Sequence, residues 1–413
     1  MPGSESFASA LVSALRRQGQ RPATSGAVAS TTTTTTTWME VADGVRRLAL
    51  GLVSAGVGGG HRVQVDGGAA RPHDLIGREL AVLSVGAVLC GPGADCADAG
   101  FGPNGLSGVG PETIGLDDLR DRGAAADRDR PARYEEMLSA LGRAAPAIAT
   151  RDAVVTQGQA RWALRSVDRW IGAALPSAGG VVGGVVDGPG PVLAAHRSVD
   201  TGGITAALVG RWWPATVGAA LAGIDADSGG PGGVVDAARD LRPSLAVLDP
   251  TAWAELAAAA RTSASWSLAG PTMLRRGRVI AAGESSSLVD RIGLTAARRW
   301  IGLRVNTAAG LDRLDLGVCL GPLDPGAARD LAAAAVPLVV AWTAPGAMAP
   351  VAATPVLRPE PAAAWGRPLP GRAVEVVGPI TTILGGDLPD GRLWLDGAVA
   401  VDDRSRVRFP RSR

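Results

Sequence analysis

The sequence predicts an α/β fold with parallel sheets. Short apolar segments such as PVLAAH and SLAVL alternate with longer stretches of helical periodicity along most of the chain. Strands that alternate with helices in this way form parallel sheets through right-handed crossovers. A length of 413 residues with a hydrophobic fraction of 46% indicates a globular protein with two or three domains or subdomains.

The first elements follow from hydrophobic spacing. An amphipathic helix is predicted near the start of the chain, with one apolar face formed by Phe7, Leu11, Val12 and Leu15. Seven consecutive threonines, 31–37, extend a loop or strand before Trp38. A second helix is predicted from apolar residues at helical spacing, Val41, Val45, Leu48, Leu52 and Val53, and Gly56 closes it.

A strand at Val63 and Val65 comes next, and HDLIGRELAVLSVGAVLCG then predicts a helix followed by a strand. Residues 91–131 are rich in Gly, Pro and Asp and are interpreted as a long surface connection. Within them GFGPNG, 100–105, matches a dinucleotide-binding pattern by letter only. It follows DCADA rather than a strand, so it is interpreted as loop.

The middle of the chain continues the alternation. Strands are predicted at DAVVT, PVLAAH, LAVL, LGVCL and LVVAW, and a predicted helix separates each of these strands from the next. From Arg372 the pattern changes to short strand-like pieces, AVEVV and RLWLDGAVAV, separated by Gly, Pro and Asp. We therefore expect a large α/β domain over 1–371, with subdomains of roughly 1–150 and 151–371, and a small β subdomain over 372–413.

The cationic side chains exclude several mechanisms. All 41 of them are arginine, and no lysine occurs. Without lysine the chain cannot form a Schiff base, and no lysine can reach a nucleotide phosphate. The formal charge of +2, with Arg interspersed among Asp and Glu, gives no reason to expect nucleic acid or an anionic membrane as a partner.

The cysteines and the longest uncharged segment indicate where in the cell the protein is expected. Cys90, Cys96 and Cys319 are widely spaced and odd in number, which argues against disulfides and zinc and fits a reducing cytoplasm. The longest uncharged window, 331–357, contains four prolines, so buried strands and turns are expected there rather than a transmembrane helix.

Five segments in order resemble the large N-terminal domain of the adenylate-forming (ANL, AMP-dependent synthetase/ligase) superfamily, especially its long-chain fatty acyl-CoA synthetases. They are TWMEVADGVRRLALGLVSAGVGGGHRVQV, ELAVLSVGAVLCGPGAD, LRPSLAVLDPTAWAEL, LGPLDPGAARDL and WGRPLPGRAVEVV. The resemblance covers residues 37–377 and implies two stacked parallel-sheet subdomains with a small C-terminal β subdomain. We expect no counterpart of the family's small lid domain, which carries its catalytic lysine.

The family's phosphate-binding loop, YTSGTTGxPKG, corresponds here to VVTQGQARWALRS. Adenylation brings two anionic reactants together and therefore needs clustered N–H donors, cations and Mg²⁺. Thr156 and Gly158 are what remains of the loop's hydroxyl and glycine content. Arg161 could supply a positive charge to a phosphate, although a solvated arginine at the start of a helix is the simpler interpretation.

The second family element, YGxTE, corresponds to AWTAPGAM. Trp342 keeps an aromatic face that could stack on adenine, or it is an ordinary residue of the core or its rim. Gly346 stands at the position of the Mg²⁺-binding glutamate, so no metal ligand is expected.

Two further positions complete the comparison with the family. PVLAAHRS resembles LPLAHxF, which places His196 at the histidine that borders the acyl-substrate pocket; a hydrogen-bonded strand-end histidine is the alternative. Asp402 and Asp403 lie near the position of the ribose-binding aspartate, but no flanking pattern supports that role.

Other chemistries have little support. GESSS, 283–287, begins like a nucleophile elbow but lacks its closing glycine, and with His61, His73 and His196 a serine-hydrolase triad is improbable. The histidines and cysteines show no metal-ligand spacing.

The sequence thus favours a pseudoenzyme that resembles AMP-forming acyl-CoA ligases. It would keep a pocket for a fatty acid or another small carboxylate or act as a protein-partner module, and it would need no cofactor. The alternative is a divergent, active AMP-forming long-chain fatty acid–CoA ligase that uses ATP and Mg²⁺ and borrows a lid or a lysine from another chain.

Overall fold

The structure is a computed structural model, and it describes most of the chain. The described residues are 5–24, 36–66, 71–91, 98–110, 112–149, 154–174, 192–196, 203–225, 233–265, 303–343, 347–354, 365–370, 372–377, 380–384, 392–396 and 407–408.

Helices and strands alternate over the described residues, as the sequence predicts. The helices are α1 Phe7–Gln18, α2 Trp38–Ser54, α3 Pro72–Ser84, α4 Leu116–Asp129, α5 Arg133–Ala140, α6 Gln157–Ala174, α7 Gly203–Ala207, α8 Trp213–Thr216, α9 Gly233–Leu241, α10 Pro250–Ser265, α11 Leu303–Ala308 and α12 Pro325–Ala333. A π-helical turn, Leu208–Trp212, joins α7 to α8.

The strands form three sheets. They are β1 Arg62–Val65, β2 Val88–Cys90, β3 Ala99–Gly102, β4 Gly105–Ser107, β5 Pro146–Ala149, β6 Val154–Thr156, β7 Val192–His196, β8 Leu221–Asp225, β9 Leu245–Leu248, β10 Leu316–Leu320, β11 Leu338–Trp342, β12 Ala352–Ala353, β13 Trp365–Pro368, β14 Ala373–Val377, β15 Ile380–Leu384, β16 Arg392–Asp396 and β17 Val407–Arg408.

The first sheet has the order β4-β3-β1-β2-β5-β6. Its inner strands β3, β1, β2 and β5 are parallel, and the edge strands β4 and β6 run antiparallel to their neighbours. The expectation of parallel strands is therefore confirmed for the centre of this sheet and is wrong for its edges. The reason is chain length: each edge strand follows its neighbour within a few residues, which is too short for a crossover.

The second sheet has the order β17-β13-β12-β11-β10-β9-β7-β8. The five strands from β11 to β8 are parallel, and β12, β13 and β17 continue the sheet antiparallel. Strands β14, β15 and β16 form a separate antiparallel sheet. Short strands are thus present after Arg372 as predicted, while the division of the chain into domains stays a prediction.

Two apolar clusters hold the sheets and helices together. The larger one includes residues of both sheets with α1, α2, α3, α6 and the π-helical turn, so these helices lie between and around the sheets. The smaller one joins the second sheet to α9, α10, α11 and α12 on its other face. All four predicted apolar residues of α1 are buried in the larger cluster. The second sheet is therefore covered by helices on both faces.

The interpretation of residues 91–131 as a surface connection is wrong. They contain the hairpin β3–β4 and the 14-residue helix α4. The GFGPNG segment forms the end of β3, the two-residue turn and the first residue of β4, so its interpretation as loop is wrong except for the turn. Only Leu119 and Gly123 of α4 are buried, so its charged sequence looks like a linker. The helix is fixed instead by backbone contact, because the Cβ of an alanine at Gly123 would lie 1.8 Å from the Arg47 carbonyl oxygen of α2.

No helix among the described residues is long and apolar enough to cross a membrane.

Candidate functional site

Three of the predicted site residues lie at the start of α6. Thr156 ends β6 and caps α6: its Oγ1 accepts a hydrogen bond from the Gln159 N–H at 3.3 Å, and Gln159 Oε1 accepts one from the Thr156 N–H at 2.8 Å. This reciprocal arrangement is a capping box, which satisfies two otherwise unbonded donors. The Thr156 hydroxyl is therefore engaged in holding the helix.

The next backbone donors of α6 are also bound. The Gln157 N–H donates to the Ala145 carbonyl at 2.9 Å, and the Gly158 N–H donates to the Arg143 carbonyl at 2.8 Å. Gly158 also permits this approach, since a Cβ there would lie 3.1 Å from the same Arg143 oxygen. A helix N-terminus binds phosphate through free N–H groups. Here the N–H groups of residues 157–159 are bound to the protein's own oxygens.

Arg161 lies one turn further along α6 and contacts the beginning of the chain. Its guanidinium donates to the Glu5 carbonyl oxygen and, at 2.8 Å, to Glu5 Oε2. The residue is only 9% exposed, so it does not occupy the solvated position of the simpler interpretation. Burial is the main factor that lowers the pKa of this guanidinium, and the charges of Arg165 and Arg143 lower it further while Glu5 raises it.

Trp342 and His196 lie at the carboxyl edge of the second sheet. Trp342 ends β11 and is half-buried, and its carbonyl accepts a hydrogen bond from the Val351 N–H at 2.8 Å. His196 ends β7, in parallel register with Asp225. Two strands, β10 and β9, separate β11 from β7, so the two backbones are about 14 Å apart at the usual strand spacing. Ligands of open α/β sheets bind at such a carboxyl edge.

The beginning of α7 joins the carboxyl edges of the two sheets, a feature that the sequence analysis missed. A Cβ on Gly91, which follows β2, would lie 3.1 Å from Ile204 Cδ1 and 3.2 Å from the Ala149 carbonyl oxygen at the end of β5. Thr205 Oγ1 lies 3.4 Å from the Ala347 carbonyl oxygen, in the segment that follows Trp342. The two glycines that precede Ile204 were the one sequence signal for this close approach.

The structure therefore divides the predicted residues into two groups. Thr156, Gly158 and Arg161 lie together at the edge strand of the first sheet, and Trp342 and His196 lie at the carboxyl edge of the second. Several sequence-level candidates fall outside the described residues: Cys96, the GESSS segment 283–287, Gly346, Asp402 and Asp403.

Two further reactive side chains of the described residues, Cys319 and His73, are buried. Burial, together with the charge of Asp249, raises the pKa of the Cys319 thiol, so a thiolate nucleophile is disfavoured there. Burial lowers the pKa of His73, and neighbouring Asp74 opposes that effect. Within the described part of the chain, no group of three or more His, Cys, Asp or Glu side chains could hold a metal ion.

The overall arrangement is similar to that of solved adenylate-forming enzymes. The inhibitor-bound N-terminal domain of FACL13 from Mycobacterium tuberculosis matches with a TM-score of 0.65 and 13% identity, over 99% of this chain and 100% of that chain. Coronafacic acid ligase from Pectobacterium brasiliense matches with a TM-score of 0.58 and 11% identity, over 98% and 77%. VinN in complex with L-aspartate matches with a TM-score of 0.57 and 13% identity, over 98% of each chain.

No family model matches the chain, and no curated protein matches it. At these identities the likeness concerns the fold. It confirms the mixed α/β architecture, with parallel sheets, of the large N-terminal domain of adenylate-forming enzymes.

Proposed function

We propose that this chain is a degenerate relative of the AMP-forming acyl-CoA ligases, a pseudoenzyme that binds a small carboxylate or a protein partner and forms no adenylate. The observation that carries the proposal is the state of α6: its N–H groups at residues 157–159 are bound to Ala145, Arg143 and Thr156. A triphosphate at this turn would have to break those hydrogen bonds, and each bond lost would cost about 1 kcal/mol.

The absence of lysine from the sequence supports the same conclusion, because no lysine ammonium group can neutralise the developing charge. ATP and Mg²⁺ are then not required as cofactors. A cytoplasmic location is part of the proposal and is supported by Cys319, which is a buried free thiol.

The carboxyl edge of the second sheet is the proposed ligand site. Trp342 supplies an aromatic side chain there, and the related fold of VinN holds L-aspartate, a small carboxylate. Fatty acids belong to the same chemical class with a longer apolar chain, which would need an apolar pocket.

The alternative is a divergent, active AMP-forming long-chain fatty acid–CoA ligase that takes a lid or a lysine from another chain and uses ATP and Mg²⁺. The extent of the structural similarity favours this alternative, since the match to coronafacic acid ligase covers 98% of this chain.

Carboxylate-dependent exchange between ATP and pyrophosphate in the presence of Mg²⁺ separates the two. We expect exchange at background level, together with a rise in melting temperature with L-aspartate or a fatty acid and none with ATP. Exchange above background would reject the pseudoenzyme.

Variants of Trp342 locate the ligand in the same assay. We expect Trp342→Ala to abolish the melting shift and Trp342→Phe, which keeps an aromatic ring, to retain most of it. An unchanged shift in Trp342→Ala would place the ligand elsewhere.

A further inference from the structure

The amino-terminal ends of α1 and α6 meet at a buried amide. The Ala8 N–H of α1 donates to Gln157 Oε1 of α6 at 3.1 Å, and Gln157 is 0% exposed. This bond fixes the orientation of the amide, since an N–H donor requires the oxygen and not the nitrogen to face it. Gln157 Nε2 is then a buried donor without a hydrogen-bond partner. Such a donor normally costs about 1–3 kcal/mol unless an acceptor is supplied.

The same junction is positively charged. Arg161 lies on the same face of α6 as Gln157, because residues four apart are neighbours on a helix. The charges of Arg143 and Arg165 also act on Arg161, and among the described residues Glu5 supplies the opposing negative charge. Both helices direct the positive ends of their dipoles to this point. The Arg161 guanidinium and the two helix ends thus meet the carboxylate of Glu5 at this junction.

We propose that the α1–α6 junction is a binding site for a small oxyanion, a phosphate or a carboxylate group, and that Glu5 occupies it from within the chain. The oxygens of Glu5 bind Arg161, but Gln157 Nε2 has no bond to them. An external oxyanion has enough oxygens to accept from both groups. The Glu5 side chain is 38% exposed, so it can leave the site without any movement of α1.

Replacement of Glu5 tests this site directly. The variant Glu5→Gln keeps the size of the side chain and removes its charge. At constant ionic strength, we expect inorganic phosphate to raise the melting temperature of Glu5→Gln by on the order of 2 °C at ten times its dissociation constant. The wild type should respond at least several-fold less, because Glu5 competes with the phosphate. The double variant Glu5→Gln/Arg161→Gln should not respond.

A matched control is Glu135→Gln, which removes the exposed carboxylate bound to Arg16 at the other end of α1. It should behave like the wild type. Should Glu5→Gln fail to fold, Glu5→Asp keeps the charge on a shorter side chain and should show an intermediate phosphate response.

Acetate and ATP distinguish the possible sources of the oxyanion. A shift with both phosphate and acetate supports a general oxyanion site, and a shift with phosphate alone supports a phosphate site. The proposal is overturned if phosphate has no greater effect than chloride on either Glu5 variant, if the double variant still responds, or if ATP acts while phosphate does not. The proposal does not depend on the proposed function, since no outcome here requires or excludes pyrophosphate exchange.

Discussion

The single tyrosine of the chain illustrates how burial and neighbouring charges act on one residue. Tyr134 is fully buried, and its hydroxyl lies 3.3 Å from Ser84 Oγ. The guanidinium carbons of Arg16 and Arg46 each lie 5.8 Å from its ring centroid. Burial raises the pKa of Tyr134 to about 12, although the Ser84 bond and the two arginines act in the opposite direction. The environment thus keeps the hydroxyl neutral.

Alkaline titration of this residue is the prediction at the residue scale. The native protein should show a tyrosinate midpoint near pH 12, whereas the unfolded chain should titrate near 10.0. Because the folded pKa is raised, the stability that Tyr134 contributes is fully present below pH 10. It should be lost as the pH rises towards 12, by roughly 2–3 kcal/mol.

Urea unfolding between pH 9 and 12, with tyrosinate absorbance as the titration signal, measures both effects. Tyr134→Phe should lack the signal and lose this part of the pH dependence. A native midpoint near 10 would show that the ring is open to solvent.

At the scale of elements, the contact between α2 and α4 depends on glycine. A Cβ on Gly51 would lie 2.1 Å from the Leu119 carbonyl oxygen, and one on Gly123 would lie 1.8 Å from the Arg47 carbonyl oxygen. Both neighbouring atoms belong to backbone, which cannot move aside as a flexible side chain can. This close approach of the two backbones lets α4 pack against α2, although only Leu119 and Gly123 of α4 are buried.

Gly51→Ala should therefore destabilise the protein by at least about 2 kcal/mol, because α4 must shift away from α2. Gly44→Ala in the same helix is the matched control: nothing lies within 4 Å of its Cβ position, and helix propensity predicts a gain of about 0.5–1 kcal/mol. Urea unfolding of the two variants measures the difference. Equal effects would mean that the helices do not touch at Gly51.

At the scale of the whole molecule, a buried ion pair links α3, which packs on the first sheet, to the π-helical turn between two strands of the second sheet. Glu79 of α3, which packs on the first sheet, accepts hydrogen bonds from Arg211 at 2.5 Å and from Trp212 Nε1 at 2.7 Å. Both donors lie in the π-helical turn between β7 and β8 of the second sheet. Trp212 also packs edge-on against Phe7 of α1, with ring centroids 5.4 Å apart. Glu79 thus adds a polar contact to the apolar cluster that includes residues of both sheets.

Glu79→Gln should destabilise the protein by about 3–5 kcal/mol, because the nearly buried Arg211 guanidinium would lose the carboxylate that it binds. Glu136→Gln is the control, since its pair with Arg130 is exposed and should contribute less than about 1 kcal/mol. Chemical denaturation of both variants provides the comparison. A loss below 1 kcal/mol in Glu79→Gln would show that water reaches the pair.

Part of the candidate site could have been predicted from local sequence. The TQGQ run at 156–159 has the Ser/Thr-x-x-Glu/Gln pattern of a capping box, which assigns the Thr156 hydroxyl to the helix rather than to a ligand. No such signal exists for Arg161. Its partner, Glu5, is 156 residues away in the sequence.

The sequence alone determined the order of helices and strands and the type of fold, because hydrophobic period and turn residues act over a few neighbouring positions. The prediction failed for α4, because this helix packs through backbone atoms and its sequence has few apolar residues at helical spacing. Only the tertiary structure decided what the first turn of α6 binds. The carbonyls of Arg143 and Ala145 and the carboxylate of Glu5 reach that turn through the packing of separate segments, and the sequence pattern of one segment holds no information about which atoms of another will satisfy its donors.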